Sequence, residues 1–306
     1  MDASLKITFA KNFQLGRSAT AWILFIILCI IWGSSFVLMK IGMEKLSPYQ
    51  VASMRIASAG IVLLPFSVKA FKLTPGNKIP LIILSGLLGS FFPAFLYCIA
   101  ETHIDSSAAA IFNSLTPLFS IIVGIVFFKM EAGVQKILGV LLGFTGMVLL
   151  PFSTVNAVDL GNISYSSLVI VATICYAFNV NLVSRYLKDI PSLSIAAIAF
   201  SVLLVPALVV LIATGFFKLP LLQAPYIKSA GAAIILGVLG TAIASVLFYR
   251  VVKLAGVIFA SLITYGIPVI AVILGILYGE KITLAEGGCL AIILFGVYVV
   301  NRKKTV

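Results

Sequence analysis

The chain has 306 residues, of which 62% are hydrophobic and 10% are charged, and its mean hydropathy is +1.22. No soluble domain sustains this composition, and long apolar runs indicate membrane spans. A formal charge of +12 also occurs in nucleic-acid-binding proteins, but here the basic residues lie between apolar runs and form no patch. We therefore predict an all-α, polytopic integral membrane protein whose surroundings are the lipid bilayer, with no nucleic-acid partner.

Ten apolar runs are long enough to cross the ~30 Å hydrocarbon core, which takes about 20 helical residues. The first run follows a basic tail, but it is too long for a signal peptide and no small-residue cleavage site follows it. The polar connection from Pro151 to Asn162 separates two groups of five spans, within residues 17–151 and 162–301. The spans are expected at about Ala21–Met43, Pro48–Ala70, Ile79–Ala100, Ser106–Phe128, Val134–Leu150, Ile163–Tyr186, Ser192–Gly215, Ile227–Val252, Val257–Tyr278 and Ile282–Val300.

Lysine and arginine are distributed unevenly between the two sides of these spans. Fifteen fall on the side of the N-terminal tail and five on the other side, while Arg55 lies inside a span. Because cytoplasmic loops carry the excess of positive charge, both termini are predicted to be cytoplasmic, in an inner membrane. Five spans per half then reverse the second half relative to the first, which gives an inverted repeat with a site at the midplane.

The fourth span recurs in the second half of the chain at a constant offset. Pro268 follows Pro117 by 151 residues. The same offset relates other small residues in the third and fourth spans, namely Gly86 to Gly237, Gly89 to Gly240 and Gly124 to Gly275. Glycines and prolines held in one register indicate an internal duplication rather than a shared apolar composition.

Both prolines interrupt their spans near the middle of the membrane. Pro117 has no N–H to donate, so a backbone carbonyl one turn earlier loses its helical partner. Within lipid this is tolerated only where protein or a water-lined cavity satisfies the backbone. We therefore expect these helices to line an interior, with Pro117 and Pro268 as hinges.

Four features of the sequence resemble one family of carriers. They are the segment WGSSFVLMKIGMEKLSPYQVASMR at residues 32–55, the pairs Thr116-Pro117 and Ile267-Pro268, and the glutamates Glu131 and Glu280, each followed by a Gly-containing helix. Together they resemble the EamA family of the drug/metabolite transporter superfamily over nearly the whole chain. The resemblance implies a ten-helix metabolite carrier, often an exporter, with a central cavity between two repeats. One extra residue separates Glu280 from Gly296, compared with Glu131 and Gly146.

Polar and aromatic residues near mid-span are the candidates for contact with a substrate. The candidates are Trp32, Ser35, Tyr97, Asn113, Thr116, Asn179, Tyr249 and Tyr265. Each of them has an alternative role as an interhelical hydrogen bond or a packing residue. For Ser34, Ser90 and Thr241 that structural role is the one we favour.

Arg55 is the only base inside a span and is a candidate anion contact. An unsatisfied charge there costs ~2.5–3.5 kcal/mol on insertion scales. The structural alternatives are that it snorkels to the outer surface, or that it pairs with Glu44 or a helix-end carbonyl. From the sequence, Arg55 remains either structural or substrate-binding.

The residues that catalysis or metal binding would need are sparse. The only histidine is His103, all nine acids lie in tails, loops or span ends, and the four cysteines show no CxxC pairing. No P-loop is present. We therefore predict no enzyme, no cofactor and no metal site.

The function predicted is secondary transport, in the export direction, of a small metabolite such as an amino acid by alternating access. Sugars and hydrophobic drugs are the alternative substrates, and a non-transporting membrane enzyme or scaffold is the less favoured class. The sequence leaves the substrate, the direction, the coupling ion and the choice between monomer and homodimer open.

The charge distribution generates a test of the topology. Reporter fusions after Asn77 and after Val306 should report a cytoplasmic location, and a fusion after Val158 should report the outside. The Asn77 fusion is the internal control for the Val306 fusion, because both fusion sites are assigned to the same side of the membrane. The opposite location for either side would contradict the inverted repeat.

Overall fold

A computed structural model of the chain describes residues 17–104, 106–153, 163–277 and 283–302. These residues are almost entirely helical, and none of them forms a β-strand. Eight helices in the described ranges are long and apolar enough to cross a membrane, and Val134–Leu149 is a shorter apolar helix. The prediction of an all-α multi-pass membrane protein is confirmed, whereas the count of ten spans stays a prediction. Most of the predicted mid-chain connection and Glu280 lie outside the described residues.

The helices of the first half are α1 (Arg17–Met43), α2 (Pro48–Leu73), α3 (Ile79–Gly86), α4 (Phe92–Ala100), α5 (Ser106–Asn113), α6 (Thr116–Phe128) and α7 (Val134–Leu149). Those of the second half are α8 (Ile163–Tyr186), α9 (Ser192–Ala213), α10 (Ala224–Gly237), α11 (Ala244–Ser261), α12 (Ile263–Leu277) and α13 (Leu284–Asn301). Two π-helical turns, π1 (Leu87–Phe91) and π2 (Val238–Ile243), join α3 to α4 and α10 to α11.

Helix α2 begins at a capping box that its sequence specifies. The hydroxyl of Ser47 accepts a hydrogen bond from the backbone N–H of Gln50, whose side chain accepts one from the N–H of Ser47. Pro48 occupies the first turn, where its missing N–H costs no helical hydrogen bond. These contacts fix the start of α2 seven residues before Arg55.

A glycine divides the longest apolar run into two segments. Residues from Ala224 to Ser261 form one run of 38 residues, much longer than a single crossing needs. Within it, Gly256 has φ 86° and ψ 176°, a backbone conformation outside the helical region that residues with a Cβ rarely adopt. The break lies between the predicted eighth and ninth spans.

The two π turns lie at equivalent positions of the two halves. Val238, which begins π2, follows Leu87, which begins π1, by the same 151 residues that relate the prolines. The glycine before each turn packs on a helix of the other half. A Cβ on Gly86 would lie 2.8 Å from Cβ of Ala199, and one on Gly237 would lie 2.5 Å from the carbonyl oxygen of Arg55. Ala199 and Arg55 are themselves counterparts, each the eighth residue of α9 or α2.

The most extensive packing in the described residues joins a helix to its own counterpart. Helix α2 packs on α9, and α7 packs on α13. The second contact depends on glycine, because a Cβ on Gly296 would lie 2.5 Å from the backbone nitrogen of Gly143 and 2.7 Å from the carbonyl oxygen of Gly139. Gly139 and Gly143 thus let two helices approach closely, as small residues four apart do in membranes.

The first helix of each half is embedded in the other half. Helix α1 packs on α10, α11 and α12, while α8 packs on α4, α5 and α6. Side chains near the middle of α1 and α8 therefore face the other half. This exchange places the residues from both halves around one central space.

The contact between α7 and α13 can be tested by adding one methyl group. Gly296→Ala should lower the free energy of unfolding by about 1–3 kcal/mol, because its Cβ meets backbone atoms that have no room to move. Gly231→Ala is the control, since a Cβ there meets nothing within 4 Å. Thermal unfolding of the purified protein in detergent measures the difference, and equal unfolding temperatures would contradict the close packing.

Candidate functional site

A cavity of about 110 Å³ lies between the two halves, which is room for several water molecules. Seven of the eight predicted contact residues line it: Trp32, Ser35, Tyr97, Asn113, Thr116, Asn179 and Tyr249. Arg55 lines it as well. Sequence reasoning gave less weight to other residues of the wall, among them Phe36, Ser90, Tyr176, Thr241, Ser245 and Phe248.

Tyr265, the eighth candidate, lies outside this cavity. Its hydroxyl donates a hydrogen bond to the carbonyl oxygen of Val140 at 2.9 Å. Its ring leaves no room for a side chain on Gly143, where a Cβ would lie 2.5 Å from a ring carbon. On α12 the residues that line the cavity are Thr264 and Ile267. Tyr265 lies about 100° around the helix from Thr264, so it faces α7 instead.

The fourth predicted span is broken at the cavity, as its proline indicated. Helix α5 ends at Asn113 and α6 begins at Thr116, with Pro117 in its first turn. The hydroxyl of Thr116 donates to the carbonyl oxygen of Asn113 at 2.7 Å, the carbonyl that Pro117 leaves without a helical N–H. The protein therefore satisfies this break from within.

The two prolines occupy different structural positions although they share a sequence register. In the second half the helix is interrupted at Leu262, between α11 and α12, and Pro268 lies inside α12. Pro117 instead begins a helix after a break. Neither proline lines the cavity, and their role as hinges stays a prediction.

Trp32 ties α1 to the π turn of the second half. Its indole Nε1 donates to the carbonyl oxygen of Gly240 in π2 at 3.0 Å, and its ring lies 5.4 Å from the ring of Phe248. The indole N–H is therefore already hydrogen-bonded, and the aromatic face of Trp32 forms part of the cavity wall. Ser35 donates to the carbonyl oxygen of Ile31 in its own helix at 2.9 Å.

A buried hydrogen-bond network stabilises the part of the cavity wall formed by Asn179 and Tyr249. The hydroxyl of Ser85 donates to Oδ1 of Asn179 at 2.6 Å and lies 3.4 Å from the hydroxyl oxygen of Tyr249. Gly89 makes room for this amide, because a Cβ there would lie 2.3 Å from Nδ2 of Asn179. The network joins α3, α8 and α11 from both halves.

Arg55 is held across the boundary between the halves by Thr241. Its Nε donates to Oγ1 of Thr241 at 2.6 Å. The Thr241 hydroxyl in turn donates to the carbonyl oxygen of Leu236, five residues earlier, at 3.2 Å. Glu44, the acid considered as a partner, forms its ion pair with Lys228 at 2.9 Å. Of the alternatives considered for Arg55, pairing with Glu44 is therefore wrong, and the arginine lines the cavity.

Thr241 and Ser90 line the cavity, although the sequence favoured a structural role for both. The signal that could have identified Thr241 is its register, because Thr241 follows Ser90 by 151 residues and both line the cavity. Its partner Arg55 is 186 positions away in the chain, so no local pattern reveals the contact.

A second cavity of about 340 Å³ lies beside the central one and is rich in charge. Its walls include Lys129, Glu131, Lys136, Arg185 and the backbone break at Gly256.

The two cavities are separated by neighbouring residues on two helices. On α8, Val180 lines the central cavity and Asn181 the second one. On α11, Ala260 lines the central cavity and Phe259 the second one. The amide Nδ2 of Asn181 donates to the carbonyl oxygens of Ser120 and Ala177, at 2.9 Å each, which holds this barrier in place.

Comparison with known proteins decides the family. A profile of the EamA-like transporter family matches residues 19–152 and, separately, residues 163–302. The chain belongs to the EamA-like transporter family. Membership makes it a membrane transporter, and the two matches correspond to the two halves related by the 151-residue offset.

Relatives of this EamA-like chain carry transporter names. An uncharacterized transporter of Archaeoglobus fulgidus is 27% identical over 289 residues, which cover 92% of this chain and 99% of that protein. The uncharacterized inner membrane transporter YedA of Escherichia coli K12 is 28% identical over 285 residues, which cover 90% of this chain and 89% of that protein. A probable amino-acid metabolite efflux pump of the same strain is 24% identical over 135 residues, or 44% of each chain. One crystal structure superposes with a TM-score of 0.69 over 92% of this chain and 96% of its own, at 17% identity, which shows the shared fold alone.

The placement of Tyr265 generates a prediction that separates packing from binding. Tyr265→Phe removes the hydrogen bond to Val140 and should lower the free energy of unfolding by about 1 kcal/mol. The substrate concentration for half-maximal transport should not change. Tyr298→Phe, at an exposed tyrosine on α13, is the control for stability. A raised half-saturation at unchanged stability would place Tyr265 in contact with substrate after all.

Proposed function

We propose that this EamA-family transporter exports a small metabolite, such as an amino acid, by alternating access through the central cavity. The observation that carries the proposal is that the cavity lies between the halves and is lined by polar residues from both. A carrier that opens alternately to either side needs its site at such a boundary. The efflux pump among the relatives, named for amino-acid metabolites, supports the substrate class and the direction.

The second cavity fits the role of a cytoplasmic vestibule. Its walls include residues of the α6–α7 connection, the end of α8, the break at Gly256 and the end of α13. All these segments fall on the side to which the positive charge assigns the cytoplasm. The barrier formed by Val180–Asn181 and Phe259–Ala260 is then the inner gate, and opening it connects the cytoplasm with the substrate site.

Hydrophobic drugs remain the second candidate because the cavity also has aromatic walls. Phe36, Tyr176 and Phe248 line it together with Trp32. The amides of Asn113 and Asn179 add polar groups to the same surface, which favours a substrate with hydrogen-bonding groups. A comparison of excreted metabolites between cells lacking and cells overproducing the protein distinguishes the candidates. If no metabolite changes and only drug tolerance does, the metabolite-export proposal is wrong.

The proposed site makes Asn113 a contact residue and Pro117 a bending residue. Asn113→Ala should raise the substrate concentration for half-maximal transport by about 2- to 10-fold, the effect of one lost hydrogen bond. Pro117→Ala should change the maximal rate more than the half-saturation, because it alters bending and not contact. Transport is titrated at matched amounts of protein in the membrane.

The control for these variants is Asn77→Ala, at an exposed loop asparagine before α3. It should leave both kinetic values unchanged. If Asn113→Ala reduces only the amount of folded protein and keeps the half-saturation, Asn113 is a packing residue and the proposed contact is wrong.

A further inference from the structure

We propose that the transported species is a small monocarboxylate with a flat apolar body and a net charge of −1, and that Arg55 and Tyr97 bind its carboxylate. This inference rests on the proposed transport through the central cavity. It narrows the proposed class of small metabolites to acids that carry no amino group, because the amino acids named above as an example are zwitterions and sugars are neutral.

Arg55 supplies a preorganised anion site. A guanidinium is always charged and carries five N–H donors in a planar fork. The hydrogen bond described for Arg55 uses Nε and Thr241, which leaves the two terminal nitrogens for a ligand. Because Thr241 donates its own proton to Leu236, its oxygen accepts from Arg55 and fixes the orientation of the fork. Two parallel N–H···O contacts are the geometry in which guanidinium groups bind carboxylates.

Tyr97 supplies a second donor. It is 5% exposed, it lines the same cavity, and its hydroxyl has no hydrogen-bond partner within the described part of the chain. Its ring is fixed between Tyr176, stacked at 6.2 Å, and Phe36, at 6.5 Å. A buried hydroxyl without a partner is unfavourable, and an oxygen of a bound carboxylate would satisfy it.

The charge balance of the cavity selects a monoanion. Among the described residues that line it, Arg55 is the one charged side chain. Glu101 follows Tyr97 by one helical turn and is buried, but it is not part of this wall. A bound monocarboxylate neutralises the guanidinium of Arg55, whereas a zwitterion brings a second positive charge beside it. The counterpart of Arg55 in the other half is Ala199, so the site offers one guanidinium and not two.

The remaining walls fit the body of such a molecule. Trp32, Tyr176 and Phe248 present aromatic surface on which a flat apolar group can stack. Among the described residues that line it, the neighbouring cavity contributes Lys129, Lys136 and Arg185 against one acid, Glu131. This positive excess raises the local concentration of anions before the gate.

Three probes with the same ring system and different charge test the inference: indole-3-propionate (anion), tryptophan (zwitterion) and tryptamine (cation). Binding to the purified full-length protein is measured at pH 7.5 by isothermal titration calorimetry and by the shift of the thermal unfolding temperature. Indole-3-propionate should bind at least tenfold more tightly than tryptamine, and more tightly than tryptophan. Equal binding of the three probes, tighter binding of tryptamine, or binding of none of them would overturn the inference.

Variants then assign the preference to residues. Arg55→Gln should remove the preference for the anion: indole-3-propionate should bind at least tenfold more weakly, and the affinity for tryptamine should not fall. Arg55→Lys should be intermediate, because it keeps the charge without the planar fork of donors. Tyr97→Phe and Thr241→Val should each weaken binding of the anion several-fold, and they carry the test if Arg55→Gln does not fold. The matched control is Arg250→Gln, an exposed arginine on α11 outside the cavity wall.

A preference for the anion that survives Arg55→Gln would mean that another group binds the carboxylate, and the assignment would be wrong. The metabolite comparison judges the proposed transport separately. Export that persists for a zwitterionic or neutral metabolite, with no preference among the indoles, overturns the charge assignment alone. The absence of any exported compound instead overturns the transport proposal, whatever the probes show.

Discussion

A membrane interior offers no water to the backbone, so every N–H and C=O that leaves the helical pattern must find a partner within the protein or a polar cavity. Inside the spans, the described part of the chain departs from regular α-helix at π1, at π2, after Asn113 and at Leu262. Side chains at the cavity satisfy backbone carbonyls at two of these places, the break after Asn113 and π2. Thr116 donates to the carbonyl of Asn113, Trp32 to that of Gly240, and Thr241 to that of Leu236. These three side chains therefore both line the cavity and satisfy the backbone of the interrupted helices.

The duplicated scaffold is symmetric, but its binding surface is not. Leu87 and Val238 begin equivalent π turns, and the glycines before them pack on equivalent helices of the opposite half. Two matching halves can exchange conformations, which is what alternating access requires. The cavity residues break the match, because Arg55 corresponds to Ala199 and Tyr97 to Phe248. We infer that the symmetric scaffold allows the change of conformation, and that the residues that differ between the halves recognise the substrate.

Much of this architecture could be predicted from the sequence because lipid imposes few solutions. The helical membrane fold followed from the length of the apolar runs, the positive charge of the loops and the register of the two prolines. The polar residues at mid-span predicted most of the cavity wall. Tyr265 was misplaced because a span fixes depth but not rotation, and one residue of rotation turns a side chain from the cavity toward α7. The role of Arg55 could not be decided, because its partner Thr241 lies 186 residues away on another helix. Distant pairings of this kind are set by packing alone.

The charge of the cavity also bears on the source of energy for transport. Moving one elementary charge across a membrane is worth ~2.3 kcal/mol per 100 mV, which is about a 50-fold concentration ratio. The inside of a cell is negative, so a monoanion leaves the cytoplasm with this force and not against it. The described residues that line the cavity include no carboxylate that could relay a proton. For the anionic cargo proposed above, the membrane potential therefore acts in the direction of export.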